Sequence, residues 1–590
     1  MFLRALCGDQ SNNFNLSNLI LNKLHFFKVT GLKLLILTTL LVLASLHTFA
    51  QKNVYTIKID LNNKKDSVKP IWAFFGYDEP NYTYMKDGRK LLTELSKLSP
   101  VPVYVRAHNL LTTGNGKPHL KWGSTNAYTE DASGNPVYNW HITDSIFDTY
   151  VKRGMKPIAE IGFMPEALSI KPEPYEHHWT PAADYKEVFT GWAYPPKDYK
   201  KWGELVYQWV KHCTERYGKK EVESWWWEVW NEPNIGYWQG TRDEYFKLYD
   251  FAANAVKRAC PNTRLGGPTT TSPRDENANS FLRAFLLHCS DSTNYATGQK
   301  GSPLDYVSFH AKGNPKFIEG HVRMNMAVQL TDIYKGFQTV AASPKFKNLP
   351  IIIGEFDPEG CAACSVDFNP QNAYRNGTMY SSYTAASYAR IYDIAKEAGV
   401  NIEGAVSWSF EFENQPWFAG FRDLATNGVD KPVLNVFRMF GQIRGKQLIV
   451  ENDKAFSAEY LRTKGVHDSV ADVSAMATAD NKAAYILFWN YYDEDTLAPD
   501  ATVKLQLKNV PAKKVIINQY QIDENHSNSY TTWKKMGSPQ QVSKEQYSIL
   551  EKSGKLQSYQ KQKAVLIQNG AFNTNINLPG HAVSLLKISW

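Results

Sequence analysis

Two glutamates end apolar, β-rich runs of this chain. Glu232 closes the aromatic stretch at residues 225–232, WWWEVWNE, and Glu355 closes residues 351–355, IIIGE. An ionised carboxylate is costly to bury in a strand, so a glutamate at such a place needs a chemical reason. Cleavage of a glycosidic bond supplies one: a carboxylic acid protonates the leaving oxygen, and a second carboxylate attacks the sugar or activates water. Asn231, next to Glu232, has an amide able to donate to a sugar 2-hydroxyl as charge develops, and Pro233 stiffens the turn.

These residues need a scaffold that brings distant strand ends together. Short β-branched or aromatic runs alternate with amphipathic stretches from about residue 70 to 442, the pattern of a parallel sheet with crossover helices. Eight strands are expected, at residues 72–76, 103–106, 156–161, 226–230, 264–267, 306–310, 350–355 and 405–408. Between the third and fourth, Trp202, Leu205, Val206, Trp209 and Val210 recur at helical spacing, which predicts a helix over residues 199–217. Eight such units predict a (β/α)8 TIM barrel, whose active sites form at the C-terminal strand ends. Glu232, His310, Glu355 and Trp408 all fall at such ends. A doubly wound open sheet is disfavoured, because no glycine-rich phosphate fingerprint follows the first strand. With Glu232 on the fourth strand and Glu355 on the seventh, the two share one cavity, and the carboxylate spacing of about 5–5.5 Å required for retention is permitted.

After residue 445 the pattern becomes alternating strands, including residues 484–490, 503–507 and 582–588, which predicts a C-terminal β-sandwich. Residues 54–61 alternate in the same way and are expected to add a strand to it. The organisation read from sequence is a signal peptide at 1–50, a strand segment at 51–69, a barrel at 70–444 and a sandwich at 445–590. The leader assignment rests on Lys28 and Lys33, the apolar run at 34–46 and the small-residue site before Gln51. It implies export to the periplasm or the extracellular space, with no membrane attachment after cleavage.

The formal charge of +8 is spread along the 590 residues without a basic stripe, so a nucleic-acid partner is not expected. Neither H-E-x-x-H nor paired C-x-x-C occurs, so no metal or other cofactor is called for. Seventeen Trp and thirty-three Tyr suggest that some aromatic faces serve as platforms for sugar rings, the rest being core. Cys361 and Cys364 follow Glu355 in a loop. A structural disulfide, free thiols and redox or metal chemistry are the roles open to them, and the odd number of cysteines after the leader leaves at least one unpaired within the chain.

The segment Trp226-Trp-Glu-Val-Trp-Asn-Glu-Pro-Asn234, preceded by Arg216-Tyr-Gly218, resembles the acid/base segment of glycoside hydrolase family 39, which holds retaining β-xylosidases and α-L-iduronidases. Val105-Arg-Ala-His108, Gly154-Met-Lys-Pro157, Met164-Pro-Glu-Ala-Leu168, Asp305-Tyr-Val-Ser-Phe-His310 and Gly428-Val-Asp-Lys-Pro432 are similar to that family's segments in the same order. The resemblance implies that Glu232 is the general acid/base and Glu355 the nucleophile. It implies that Asn231, His108, His310 and Trp408 line the subsite of the sugar being cleaved, and it places Glu411 and Glu413 near sugar hydroxyls. A core hydrogen bond is the alternative for each histidine, and barrel packing for Trp408. Two departures bear on substrate. Lys312 stands where the family often has an aromatic residue, and the loop Asp357-Pro-Glu-Gly-Cys-Ala-Ala-Cys364 replaces a shorter turn and resembles bacterial β-xylosidases. The implied activity is release of xylose from the non-reducing end of β-xylo-oligosaccharides or xylosides with retention. An α-L-arabinoside, another neutral glycoside or an iduronide remain open as substrates; Lys312 is the cation an iduronide would need. A catalytically inactive carbohydrate-binding protein is the third reading.

Overall fold

The computed structural model describes residues 53–467, 470–496 and 498–590. The leader expected over residues 1–50 lies outside the described residues. Eight parallel strands form one sheet: Phe74–Tyr77 (β1), Tyr104–Ala107 (β2), Lys156–Ile161 (β3), Trp226–Val229 (β4), Arg264–Thr270 (β5), Tyr306–Lys312 (β6), Pro350–Asp357 (β7) and Asn401–Ala405 (β8). Beyond β8 a parallel bridge joins Phe75 to Ser407, with Gly76 N–H donating to Ser407 O at 2.9 Å and Ser407 N–H to Phe74 O at 3.0 Å. That bridge closes the sheet, and the fold is a (β/α)8 barrel.

A helix follows each strand: Lys86–Leu95 (α1), His141–Val151 (α2), Tyr199–Tyr217 (α3), Arg242–Ala259 (α4), Glu276–Asp291 (α5), Met326–Ala341 (α6), Thr378–Ala398 (α7) and Pro432–Phe440 (α8). Sequence chemistry sets their limits. In α3 the Asp198 carboxylate accepts from the N–H groups of Lys200 and Lys201, and Gly218, at φ 87°, ends the helix in a conformation that L side chains resist. The residues buried on α3 are those of the predicted stripe, Trp202, Leu205, Val206, Trp209 and Val210, together with Gly203 and Cys213.

Nine C-terminal strands and one N-terminal strand form a ten-stranded sheet, the β-sandwich. The strand Asn53–Ser67 pairs antiparallel with Lys446–Asn452 inside it. Strand Ala501–Lys508 alternates strictly, with Val503, Leu505 and Leu507 inward. Strand Ala483–Tyr491 is instead buried on both faces, because α7 packs across it. This also explains why α7 is buried nearly all round over residues 378–391. Its Tyr388 meets barrel Phe356 (ring centroids 4.8 Å apart), Tyr383 meets Tyr491 of the sandwich (5.6 Å), and Arg390 donates to Asp472 at 2.9 Å.

Two expectations need correction. The eighth strand runs over Asn401–Ala405 rather than residues 405–408. Its Asn-Ile-Glu-Gly-Ala sequence lacks the apolar run that marks the other strands, so the aromatic turn after it drew the assignment instead. Fourteen of the seventeen tryptophans are buried and Trp140, Trp417 and Trp590 are half-buried; within the aromatic stretch at 225–232 Trp227 packs against Trp209 (5.2 Å) and Trp226 lies under the Arg264 guanidinium (3.5 Å to the ring centroid). Most of the tryptophans therefore build the core.

Gly76 on β1 is required by close approach. A Cβ there would lie 2.4 Å from Trp408 Cζ3 and 3.0 Å from Arg106 O. Gly76→Ala is expected to cost about 1–3 kcal/mol by overpacking, measured as a lower urea or thermal midpoint.

Candidate active site

The C-terminal strand ends converge on a buried charge cluster centred on Arg106 of β2, which is fully buried. Its guanidinium donates from Nε to Glu228 Oε1 on β4, and its Nη2 lies 2.8 Å from Glu160 Oε2 on β3. Nη1 reaches Glu355 Oε1 on β7 at 3.3 Å, and Nη2 also donates to Asn231 Oδ1 at 3.0 Å. Trp408 covers the guanidinium, its ring centroid 4.8 Å from the central carbon. The planar five-donor fork of arginine makes such multiple pairing possible where lysine could not. Glu228, buried beneath, is pushed up to about 7 by desolvation and by Glu160, against the pull of Arg106.

Glu355 is surrounded by cations. Lys312 Nζ donates to its Oε2 at 2.6 Å, and Oε1 lies 3.4 Å from His108 Nε2 and 3.8 Å from His310 Nδ1. Burial alone would raise this carboxyl; Lys312, then His310 and His108, outweigh it and hold it well below the ordinary carboxylate range. Lys312 is held in turn by Asp357 at 3.0 Å, and Asp357 Oδ1 accepts from the Trp408 N–H at 2.9 Å.

Glu232 is reached through a turn that β5 pins. Trp230 and Glu232 have φ of 72° and 43°, left-handed values that non-glycine residues adopt only when their surroundings enforce them. The enforcing bonds are Glu232 N–H to Thr269 O at 3.0 Å and Thr269 Oγ1 to Trp230 O at 3.0 Å. His310 Nδ1 and Glu232 Oε1 share a hydrogen bond at 2.8 Å. One carboxylate oxygen each from Glu232 and Glu355, with a ring nitrogen of His310, lie within 4.8 Å of one another. The same three groups are of metal-ligating type, but Lys312 and Arg106 already neutralise Glu355, and a dication there would meet both charges.

His108 donates from Nδ1 to Glu160 at 2.7 Å, and its Nε2 lies between Asp78 (3.2 Å) and Glu355 (3.4 Å). Burial opposes the charged ring, but Glu160 prevails and raises it to about 9. Asn231 is buried, its oxygen taken by Arg106, which leaves the NH2 as its donor for a ligand. The structure thus brings Glu232, Glu355, Asn231, His108, His310 and Trp408 together. It turns Glu411 and Glu413 elsewhere. Phe410 stacks on Tyr77 (3.9 Å), which sends the neighbouring Glu411 carboxylate to the Gly428 N–H, while Glu413 accepts from Asp87 N–H at 3.1 Å at the start of α1. Neither shares a hydrogen bond with the cluster.

Arg106, Glu160, Glu228 and Asp357 were missed as site residues by the sequence reading. The signal existed: Glu160 and Glu228 sit inside apolar strands, as anomalous there as Glu232. Cys361 and Cys364 form a disulfide. The loop they close is tied inward, since Arg375 donates to the carbonyls of Cys361 and Cys364 and pairs with Glu359, which also pairs with Arg422. Cys213, Cys260 and Cys289 are buried free thiols.

The chain and its fold both match known proteins. The model of glycosyl hydrolases family 39 matches residues 55–563. A β-xylosidase of Geobacillus stearothermophilus is 28% identical over 507 residues, covering 82% of this chain and 86% of its own. An α-L-iduronidase of Mus musculus is 26% identical over 444 residues, 70% of this chain and 62% of its own. The crystal structure of a monomeric β-xylosidase from Caulobacter crescentus CB15 superposes with a TM-score of 0.70 at 21% identity, covering 91% of this chain and 99% of that one.

The His108 charge gives a signed pH dependence. Its folded pKa, about 9, lies above the ordinary 6.5, so the stabilisation it confers is complete below about pH 6.5 and lost as pH rises through about 9. The difference in thermal midpoint between wild type and His108→Gln is expected to be constant below pH 6.5 and to shrink above it.

Proposed function

Because this chain belongs to family 39 of the glycosyl hydrolases, we propose that it is an exo-acting glycosidase that works with retention, Glu355 being the nucleophile and Glu232 the acid/base. The observation that carries this is that one oxygen of Glu232 and one of Glu355 lie within 4.8 Å of each other, which lets both carboxylates flank one anomeric centre as double displacement requires. In the first step the ionised Glu355 attacks the anomeric carbon while Glu232 protonates the departing oxygen. In the second, Glu232 takes a proton from water, and that water displaces Glu355 from the sugar. The cations around Glu355 keep it ionised and make it a good leaving group. Asn231 offers its NH2 to the 2-hydroxyl.

The substrate proposed is a β-xyloside, released as xylose from the non-reducing end; the β-xylosidase relative that matches over most of its length supports this sugar. A sugar carrying a carboxylate is the second reading, and Lys312 favours it. Lys312 spends two N–H donors on Glu355 and Asp357, and the third remains for a ligand oxygen.

Glu355→Ala is expected to lose activity by several orders of magnitude and to recover turnover with azide, giving the inverted glycosyl azide by NMR; ordinary turnover without azide would remove Glu355 from its role. An aryl-glycoside panel of xyloside, arabinoside, glucoside and iduronide decides the sugar. Highest kcat/KM on the xyloside is expected, and preference for the iduronide would replace the first reading by the second.

A further inference from the structure

Beyond the two carboxylates, the first two barrel loops build a second polar feature on the other side of His108. Asp78 directly follows β1, and Lys121 lies in the loop after β2; both are at least nine-tenths buried. Lys121 Nζ donates to Asp78 Oδ2, and Asp78 Oδ1 stands 3.2 Å from His108 Nε2, the atom that also faces Glu355. The pair lines a small cavity with His108, Phe163, Trp192 and Tyr237. Tyr237 belongs to the loop that follows Glu232, and its ring centroid is 6.2 Å from that of His108. Its hydroxyl meets the Tyr185 hydroxyl at 2.8 Å, and the Tyr185 ring lies 5.4 Å from Lys121 Nζ. Polar groups therefore run from Glu355 through His108, Asp78, Lys121 and Tyr185 to Tyr237, returning to the segment that bears Glu232.

The fold does not need this ion pair to hold the loop. Backbone groups already do so: Lys121 N–H donates to Glu79 at 2.7 Å, Ser124 N–H donates to Asn81 at 2.9 Å, and the Asn81 amide donates to Ser124 O at 2.8 Å. Burying a lysine and an aspartate costs desolvation that an apolar pair would avoid. Both side chains also keep unused capacity. The ammonium has three N–H donors, of which one goes to Asp78, the only protein acceptor it has among the described residues. The carboxylate keeps free lone pairs. An acceptor and a donor side by side on a cavity wall match two neighbouring hydroxyls, one donating to Asp78 and one accepting from Lys121.

Resting on the retaining-glycosidase reading, we propose that Asp78 and Lys121 are the specificity pair of the site and hold the vicinal ring hydroxyls beyond C2 of the bound pyranose. Glu355 faces C1 and Asn231 serves the 2-hydroxyl, so the pair on the far side of His108 is left to read C3 and C4. The expected recognition is of a pyranoside with both hydroxyls free, whatever its leaving group.

The test measures kcat/KM on the aryl glycoside that the wild-type enzyme cleaves best and on its 2-, 3- and 4-deoxy analogues. Wild type is expected to lose roughly 10- to 100-fold on the 3- or 4-deoxy compound, the range of a hydrogen bond to a charged group. Asp78→Asn and Lys121→Gln should each lose a similar factor on the parent and on the 2-deoxy analogue, but little on the analogue that lacks the hydroxyl they hold. Equal loss on every analogue would overturn the proposal and leave the pair a support for His108. If neither variant folds, the wild-type series still decides, since undiminished cleavage of both the 3- and 4-deoxy compounds overturns it. Preference for another sugar in the panel sinks the xyloside reading alone, because the deoxy series is then made on that sugar.

Discussion

One buried guanidinium holds this site together. Arg106 faces carboxylates from three other strands, and each would be intolerable alone in a barrel interior. Taking a charge out of water is repaid only by close, well-directed partners, and arginine supplies five donors from one rigid plane. Removing it would strand Glu160, Glu228 and Glu355 together, a loss of about 3–5 kcal/mol or more by comparison with other broken buried pairs. The geometry of the barrel mouth follows from this constraint, since β2, β3, β4 and β7 must keep the register that lets one side chain touch all three acids. Trp408 then covers the guanidinium, and Gly76 makes room for Trp408.

A second line of charge begins at Glu355 and runs outward. Lys312 joins it to Asp357, Arg422 lies 3.5 Å beyond Asp357, and Glu359 is shared between Arg422 and Arg375. Arg375 ends on the carbonyls of the disulfide loop. Signs alternate along the line, so each buried group has an opposite neighbour, and the loop after the nucleophile is fastened to the nucleophile itself. The charges therefore act as a unit: Glu355 stays ionised because its neighbours are themselves balanced. The sandwich adds support from behind, with α7 wedged between the barrel and strand Ala483–Tyr491.

Much of this was legible in the chain. The strands at β3 and β7, the helix α3 and the alternating strands of the sandwich follow from local periodicity, which any short window of sequence carries. Glu232 and Glu355 stood out because a carboxylate at the end of an apolar strand is costly unless used. The same rule applied to Glu160 and Glu228 would have found two more acids. It could not have said that they meet on one arginine, since Arg106 lies 54 residues before Glu160 and 249 before Glu355.

Where each side chain turns was not legible in the chain. Glu411 and Glu413 sit close to Trp408 in sequence, yet the turn that stacks Phe410 on Tyr77 carries them to backbone donors outside the cluster. Lys312 stood out as the cation an iduronide would need, and the fold gives two of its three donors to Glu355 and Asp357. The tryptophans read in part as sugar platforms, and packing buried fourteen of the seventeen. By itself the sequence determined most of the strands and helices, the eighth strand excepted, and that Glu232 and Glu355 are out of place, because those depend on neighbours a few residues away. Only the tertiary structure decided which charges pair, which way each side chain turns and how far apart the two glutamates stand, because pairing energies fall steeply with distances that only the closed barrel sets.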